Sequence, residues 1–141
     1  MFLTENHKKN IVEAIKKAEL RTSGEIKIHI EQSNPKASVE ERTVEMFHVL
    51  NMHETKERNG VIIYVAVENR QFAIFGDEGI YNAVPANFWD STKDIIREAF
   101  KKSNFDEGLI AGITLAGEQL SKFFPYQAND TNELSDEISF S

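Results

Sequence analysis

The sequence predicts an α/β fold, a three-layer αβα sandwich around a small mixed β-sheet. Three observations carry that expectation. Val61 to Val67 is a continuous apolar run rich in β-branched residues, as a strand covered on both faces requires. Glu25 to Glu31 alternates, with Ile26, Ile28 and Ile30 facing one way and Glu25, Lys27, His29 and Glu31 the other. Elsewhere apolar residues recur at helical spacing, so the element order reads α β α β β α α.

Residues 5–20 form an amphipathic helix, with Ile11, Ile15 and Ala18 on one face, Val12 beside them and Thr4 as cap. Thr22-Ser23-Gly24 breaks it. The alternating strand 25–31 reads as half-buried, near an edge or with one open face. After a loop, Ser38 and Glu41 make a capping box for a helix that turns Val39, Thr43, Met46, Phe47 and Leu50 inward. Asn59-Gly60 introduces the central strand, Glu68-Asn69-Arg70 turns the chain, and Gln71 to Phe75 returns as the second arm of a hairpin. Gly76 to Gly79 ends that arm, and Ile80 to Val84 reads as a short helical turn. Pro85 leads into a helix with Phe88, Ile95, Ile96, Ala99 and Phe100 inward. Asn104 and Glu107 suggest a second capping pair, opening a last helix with Leu109, Ile113, Ala116, Leu120 and Phe124 inward, stopped by Pro125.

The 141 residues (16.1 kDa, 40% hydrophobic) fit one domain over 1–125, with a core that needs no disulfide or metal staple. Residues 126–141 read as a mostly flexible acidic tail: four acids and no Lys or Arg follow Pro125. Docking of that tail through Leu134, Ile138 and Phe140 is the alternative. A net charge of −7 argues against nucleic acid as a partner and against a polybasic membrane-surface role. The longest apolar run, Gly60 to Val67, is far too short to span a bilayer, and Met1 to Asn10 lacks a signal-peptide core. A cytoplasmic monomer is therefore expected if the chain is full length. With no cysteine, thiol catalysis, disulfides and Cys-based metal sites are excluded.

The topology carries a geometric expectation. Parallel strands joined by a helical crossover begin at one end of the sheet, and the hairpin returns its second arm to that end. Glu25, Asp77, Glu78 and Asp90 should therefore converge there, with Asp94 one helical turn further on. Two carboxylates roughly 5 Å apart repel by about 3 kcal/mol at an effective dielectric near 20. A proton, a basic partner or a bound cation relieves this. Oxygen ligands without Cys or paired His favour Ca²⁺ or Mg²⁺, with Gly76 and Gly79 letting backbone carbonyls turn toward the ion. The competing reading is an ordinary turn whose acids are neutralised by Arg58, with Asp90 a plain helix-end acid.

Other motifs are weaker. His7, His29, His48 and His53 lack HExxH spacing and read as surface histidines; no P-loop or G-x-S-x-G elbow is present. Asp130-x-Asn132 fails as a calcium loop because the sixth-position glycine is missing. Trp89 reads as core or pocket wall.

Ser23-Gly24-Glu25-Ile26, Arg58-Asn59-Gly60-Val61, the run Phe72 to Ile80 (FAIFGDEGI), Phe88-Trp89-Asp90 and Phe105-Asp106-Glu107-Gly108-Leu109, in this order and spacing, resemble the TPM-domain family over about residues 5–125. The resemblance implies an αβα sandwich and a divalent-cation site, usually Ca²⁺, at the acidic end of the sheet. It points to Asp77 and Asp90 as the best-matched ligands, with Glu78 and Glu25 beside them. Many members resemble GYGLE where this chain has Gly76 to Ile80, so acids stand here in place of an aromatic and an aliphatic residue. Many also carry a secretion signal and a Gly-rich or membrane-spanning tail. The family is linked to acid phosphatase activity, yet the chain has no phosphohistidine motif, no Cys-x5-Arg and no Asp-x-Asp-x-Thr. Two readings stand: a divalent-cation-binding accessory module, or a metal-dependent phosphomonoesterase using the same carboxylates.

Overall fold

The structure, a computed structural model, describes residues 2–127 and 134–141. In chain order the elements are α1 (Glu5–Glu19), β1 (Glu25–Glu31), α2 (Val39–Val49), a 3₁₀ turn (Met52–Glu54), β2 (Gly60–Ala66), β3 (Gln71–Gly76), α3 (Glu78–Tyr81), α4 (Asp90–Lys101), α5 (Phe105–Leu120) and β4 (Ser139–Phe140). The α/β class and the first seven major elements follow the periodicity of the sequence. The short helix is displaced toward the N-terminus: Asp77 caps it, so it opens at Glu78 rather than Ile80.

Local chemistry explains the boundaries. Thr4 accepts a hydrogen bond from the His7 N–H (3.1 Å), while His7 Nδ1 accepts from the Thr4 N–H (3.2 Å), a capping box with histidine in the usual Glu position. Ser38 accepts from the Glu41 N–H at 3.1 Å. Asn104, expected to cap α5, makes no such side-chain bond. It serves the preceding helix instead. Ser103 turns left-handed (φ 62°), its N–H bonds Phe100 O, and the Asn104 N–H bonds Ala99 O, which closes α4 in a Schellman motif.

The chain divides into two compact units. One holds α1, α4 and α5. Here Ile11, Ile15, Ile96, Leu109, Ile113 and Leu120 are fully buried. A Cβ at Gly112 would lie 2.7 Å from the Ile96 side chain, so the glycine sets how closely α4 and α5 pack. Thr22 Oγ1 donates to Phe124 O, tying the end of α1 to the chain after α5.

The other unit holds the sheet, in the order β3-β2-β1-β4. β1 and β2 are parallel, with Glu25 opposite Gly60 and Glu31 opposite Ala66; β3 returns antiparallel to β2. Val61 to Ala66 are buried without exception. On one face α2 supplies Val39, Met46 and Phe47 to a core with Met52, Ile62, Tyr64 and Ala73.

The C-terminal segment supplies the fourth strand. β4 pairs parallel to β1, with His29 opposite Ser139 and Ile30 opposite Phe140. The described part of the expected flexible tail, 134–141, thus lies along the edge of the sheet. Hydrogen bonds hold it more than the apolar anchors considered for it. Leu134 packs against the core, but Phe140 is about half exposed. The segment 128–133 and its faint calcium-loop motif lie outside the described residues.

Candidate functional site

Gly60 is the centre of the corner to which the TPM-like motifs point. Glu25 pairs with it across β1–β2, and its N–H donates to Asn59 O. From the other side the Asp77 N–H donates to Gly60 O at 2.9 Å. Glu25 and Asp77 are therefore both brought to this end of the sheet, and both are buried, at 4% and 3% exposure.

Arg58 organises the rest. Its backbone is left-handed (φ 51°), a strained conformation for a residue with a Cβ. Its carbonyl accepts the Gly79 N–H at 2.9 Å. A Cβ at position 79 would stand 2.3 Å from Glu57 O, so only glycine allows this approach. The glycine permits contact between two loops; it does not aim a carbonyl at an ion. Arg58 then forks onto Asp77, Nε to Oδ2 at 2.8 Å and Nη2 to Oδ1 at 3.0 Å. The same Oδ1 accepts the Glu78 N–H, capping α3. Glu78 is exposed, with Oε1 3.6 Å from Arg58 Nη1. The bond to Asp77 raises the Arg58 pKa, fixing its positive charge.

This geometry sets the test for a cation. The donors are hard oxygens, the right kind for Ca²⁺ or Mg²⁺. Their arrangement is not that of a resident ion site. Both Asp77 oxygens already accept N–H bonds, and a guanidinium stands where the ion's charge would lie. Glu25 Oε1 accepts the Leu134 N–H at 2.8 Å. Among the described residues no group of three or more His, Asp or Glu is placed to hold a metal. Asp90 belongs to the other unit, exposed in the first turn of α4; Asp94 pairs with Arg97 on the same helix. Trp89 meets Phe88 edge to face.

A second constellation was missed by sequence reasoning. The polar row of β1, expected to face an open side, is buried throughout: Glu25, Lys27, His29 and Glu31 are each under 9% exposed. At the far end Glu31 receives Arg42 by two bonds, Nε to Oε1 at 2.8 Å and Nη2 to Oε2 at 2.6 Å. The hydroxyls of Tyr64 and Ser141 also donate to it, at 2.5 and 2.6 Å. Chiefly through Arg42, these bonds hold the Glu31 carboxyl down to about 2. Burial, and then the bond to Glu31, raise the Tyr64 pKa.

His29 corrects the reading of all four histidines as surface residues. Its Nε2 lies 2.8 Å from Ser141 Oγ and its Nδ1 2.7 Å from Ser139 Oγ. Because the Ser141 hydroxyl donates to Glu31, it must accept from Nε2–H. Nδ1 faces the Ser139 hydroxyl, which is also placed to donate to Ile28 O at 3.4 Å. Burial lowers the His29 pKa. The signal was present in the sequence: a strand with charges of both signs needs partners if covered, and the Ser-x-Ser ending offers them.

These features define an α/β domain with a mixed sheet and an Arg–Asp corner. The TPM domain family matches residues 1–119, and the chain belongs to it. The BA42 protein of the psychrophilic bacterium Bizionia argentinensis, solved by NMR, is 46% identical over 100% of this chain and 97% of its own, with a TM-score of 0.94. The N-terminal domain of a P. gingivalis protein (15% identical, covering 91% of this chain and 83% of that one, TM-score 0.72) shares the fold. So does that of cg2496 from Corynebacterium glutamicum (15%, covering 99% and 80%, TM-score 0.67). No curated protein matches.

Proposed function

We propose that the chain is a binding module of the TPM family, not an enzyme, and that it takes Ca²⁺ or Mg²⁺ only in exchange for Arg58. The observation that carries this reading is the fork of Arg58 on Asp77. Two carboxylates, Asp77 and Glu78, share one guanidinium, and Glu25 lies at the same end of the sheet. Two carboxylates to one guanidinium leave a negative charge there, which favours a hard cation. The fork sets the cost of admitting one, because the ion must displace two charge-assisted hydrogen bonds.

Calorimetric titration with CaCl₂ and MgCl₂ tests the exchange. The unmodified chain should bind weakly, and Arg58→Gln should bind about ten-fold or more tightly than it, as loss of a competing cation allows. Asp77→Asn should abolish binding in both backgrounds. Equal affinity with and without Arg58 removes the reading. The phosphomonoesterase alternative gains nothing from the corner, since both Asp77 oxygens already accept hydrogen bonds from Arg58. Hydrolysis of an aryl phosphate that is lost in Asp77→Asn would reinstate it.

A further inference from the structure

The cover over β1 is made of the chain's own C-terminal segment, read residue by residue. Glu25 accepts the Leu134 N–H. Lys27 Nζ donates to Ser135 O (3.5 Å) and Glu137 O (3.2 Å). His29 binds the Ser139 and Ser141 hydroxyls, and Glu31 accepts from Ser141. Every second residue of one strand therefore grips the segment, along its full length from 134 to 141. The β-ladder itself is short, two residue pairs, extended by bonds from Ser141 N–H to Ile30 O and from Gln32 N–H to Ser141 O. Recognition thus rests on the side chains of β1: Glu25 and Lys27 hold the segment's main chain, His29 and Glu31 read its two serine hydroxyls, and the strand pairing is brief.

From this we infer that the outer edge of β1 is a recognition groove for an extended Leu-Ser-Asp-Glu-Ile-Ser-Phe-Ser segment. Residues 134–141 are its intramolecular ligand, and the same segment of a second copy is the occupant that replaces them. The groove is complementary to a sequence that every copy carries, so an exchanged segment makes the same bonds as the native one. Once the segment leaves, a strand edge and four polar side chains lose those partners together, which makes an empty edge costly and an exchanged one favourable. Reciprocal exchange closes as a two-fold dimer.

Complementation of two full-length variants tests this. Ser139→Ala/Ser141→Ala keeps the groove and weakens the segment; His29→Ala keeps the segment and weakens the groove. Each alone should run as a monomer in light scattering. Mixed, they should form a heterodimer associating about ten-fold or more tightly than either variant with itself. A peptide of residues 134–141 should dissolve it, and a peptide with both serines replaced should not. If circular dichroism shows that His29→Ala fails to fold, Lys27→Met takes its place as the groove variant. A mixture that stays monomeric at the highest soluble concentration overturns the proposal, as does a dimer indifferent to the peptide.

Discussion

The two ends of β1 carry the same device in different settings. At each end an arginine forks onto a buried carboxylate: Arg58 onto Asp77 beside Glu25, and Arg42 onto Glu31. Arg58 keeps 40% of its side chain exposed and sits on a strained backbone, and each arginine has a second acid in reach, Glu78 for Arg58 and Glu45 for Arg42. Arg42 is 16% exposed, and the oxygens of its Glu31 partner take two further hydroxyl donors. The first pair is built to be accessible, the second to be closed. Burial and the number of additional donors, not the ion pair itself, set that difference.

The largest expected effect lies at the closed end. Arg42→Ala strands the Glu31 charge and should lower unfolding free energy by about 4 kcal/mol in urea titration. A loss under about 1 kcal/mol would erase the contrast between the two ends. At the open end the backbone matters most. Gly79→Ala forces a Cβ against Glu57 O and should cost about 3 kcal/mol by the same measurement.

The acid limb of stability belongs to the closed end as well. The Glu31 carboxyl is lowered from 4.5 to about 2, so its contribution is complete above pH 4.5 and is lost as pH falls toward 2. The shift corresponds to about 3 kcal/mol. His29, lowered from 6.5, acts in the same direction: its share is complete above pH 6.5 and fades as pH falls through the lowered value. Urea midpoints measured from pH 7 to pH 2.5 should fall steeply for the unmodified chain and less steeply for Glu31→Gln.

Two smaller effects sharpen the comparison. Arg58→Met should cost about 2 kcal/mol, less than Arg42→Ala because water reaches the vacated corner. Ser141→Ala removes one donor to Glu31 and one acceptor for His29. It should cost about 1 kcal/mol in urea, with faster amide exchange over residues 134–141.

Much of the fold was legible because its signals are local. The apolar run 61–67 and the alternation of 25–31 specify a central and a neighbouring strand, and the turn at 68–70 fixes the hairpin register. That register brings Glu25 and Asp77 to one end, as topology requires. The Arg58–Asp77 partnership was among the readings the residues allowed. The choice between it and an ion depends on side-chain direction, which spacing does not encode.

By itself, the sequence determined the order of helices and strands, the parallel and antiparallel pairings, and the loops that share a sheet end. Periodicity and capping act within a few residues, so they are readable along the chain. Tertiary structure alone decided that the polar face of β1 is covered, that Arg42 rather than solvent meets Glu31, and that His29 is enclosed. They depend on α2 folding back to bring Arg42 onto Glu31, and on a strand more than 100 residues away in the chain coming to lie beside β1. Whether a charged side chain meets water or a partner is settled by what packs over it.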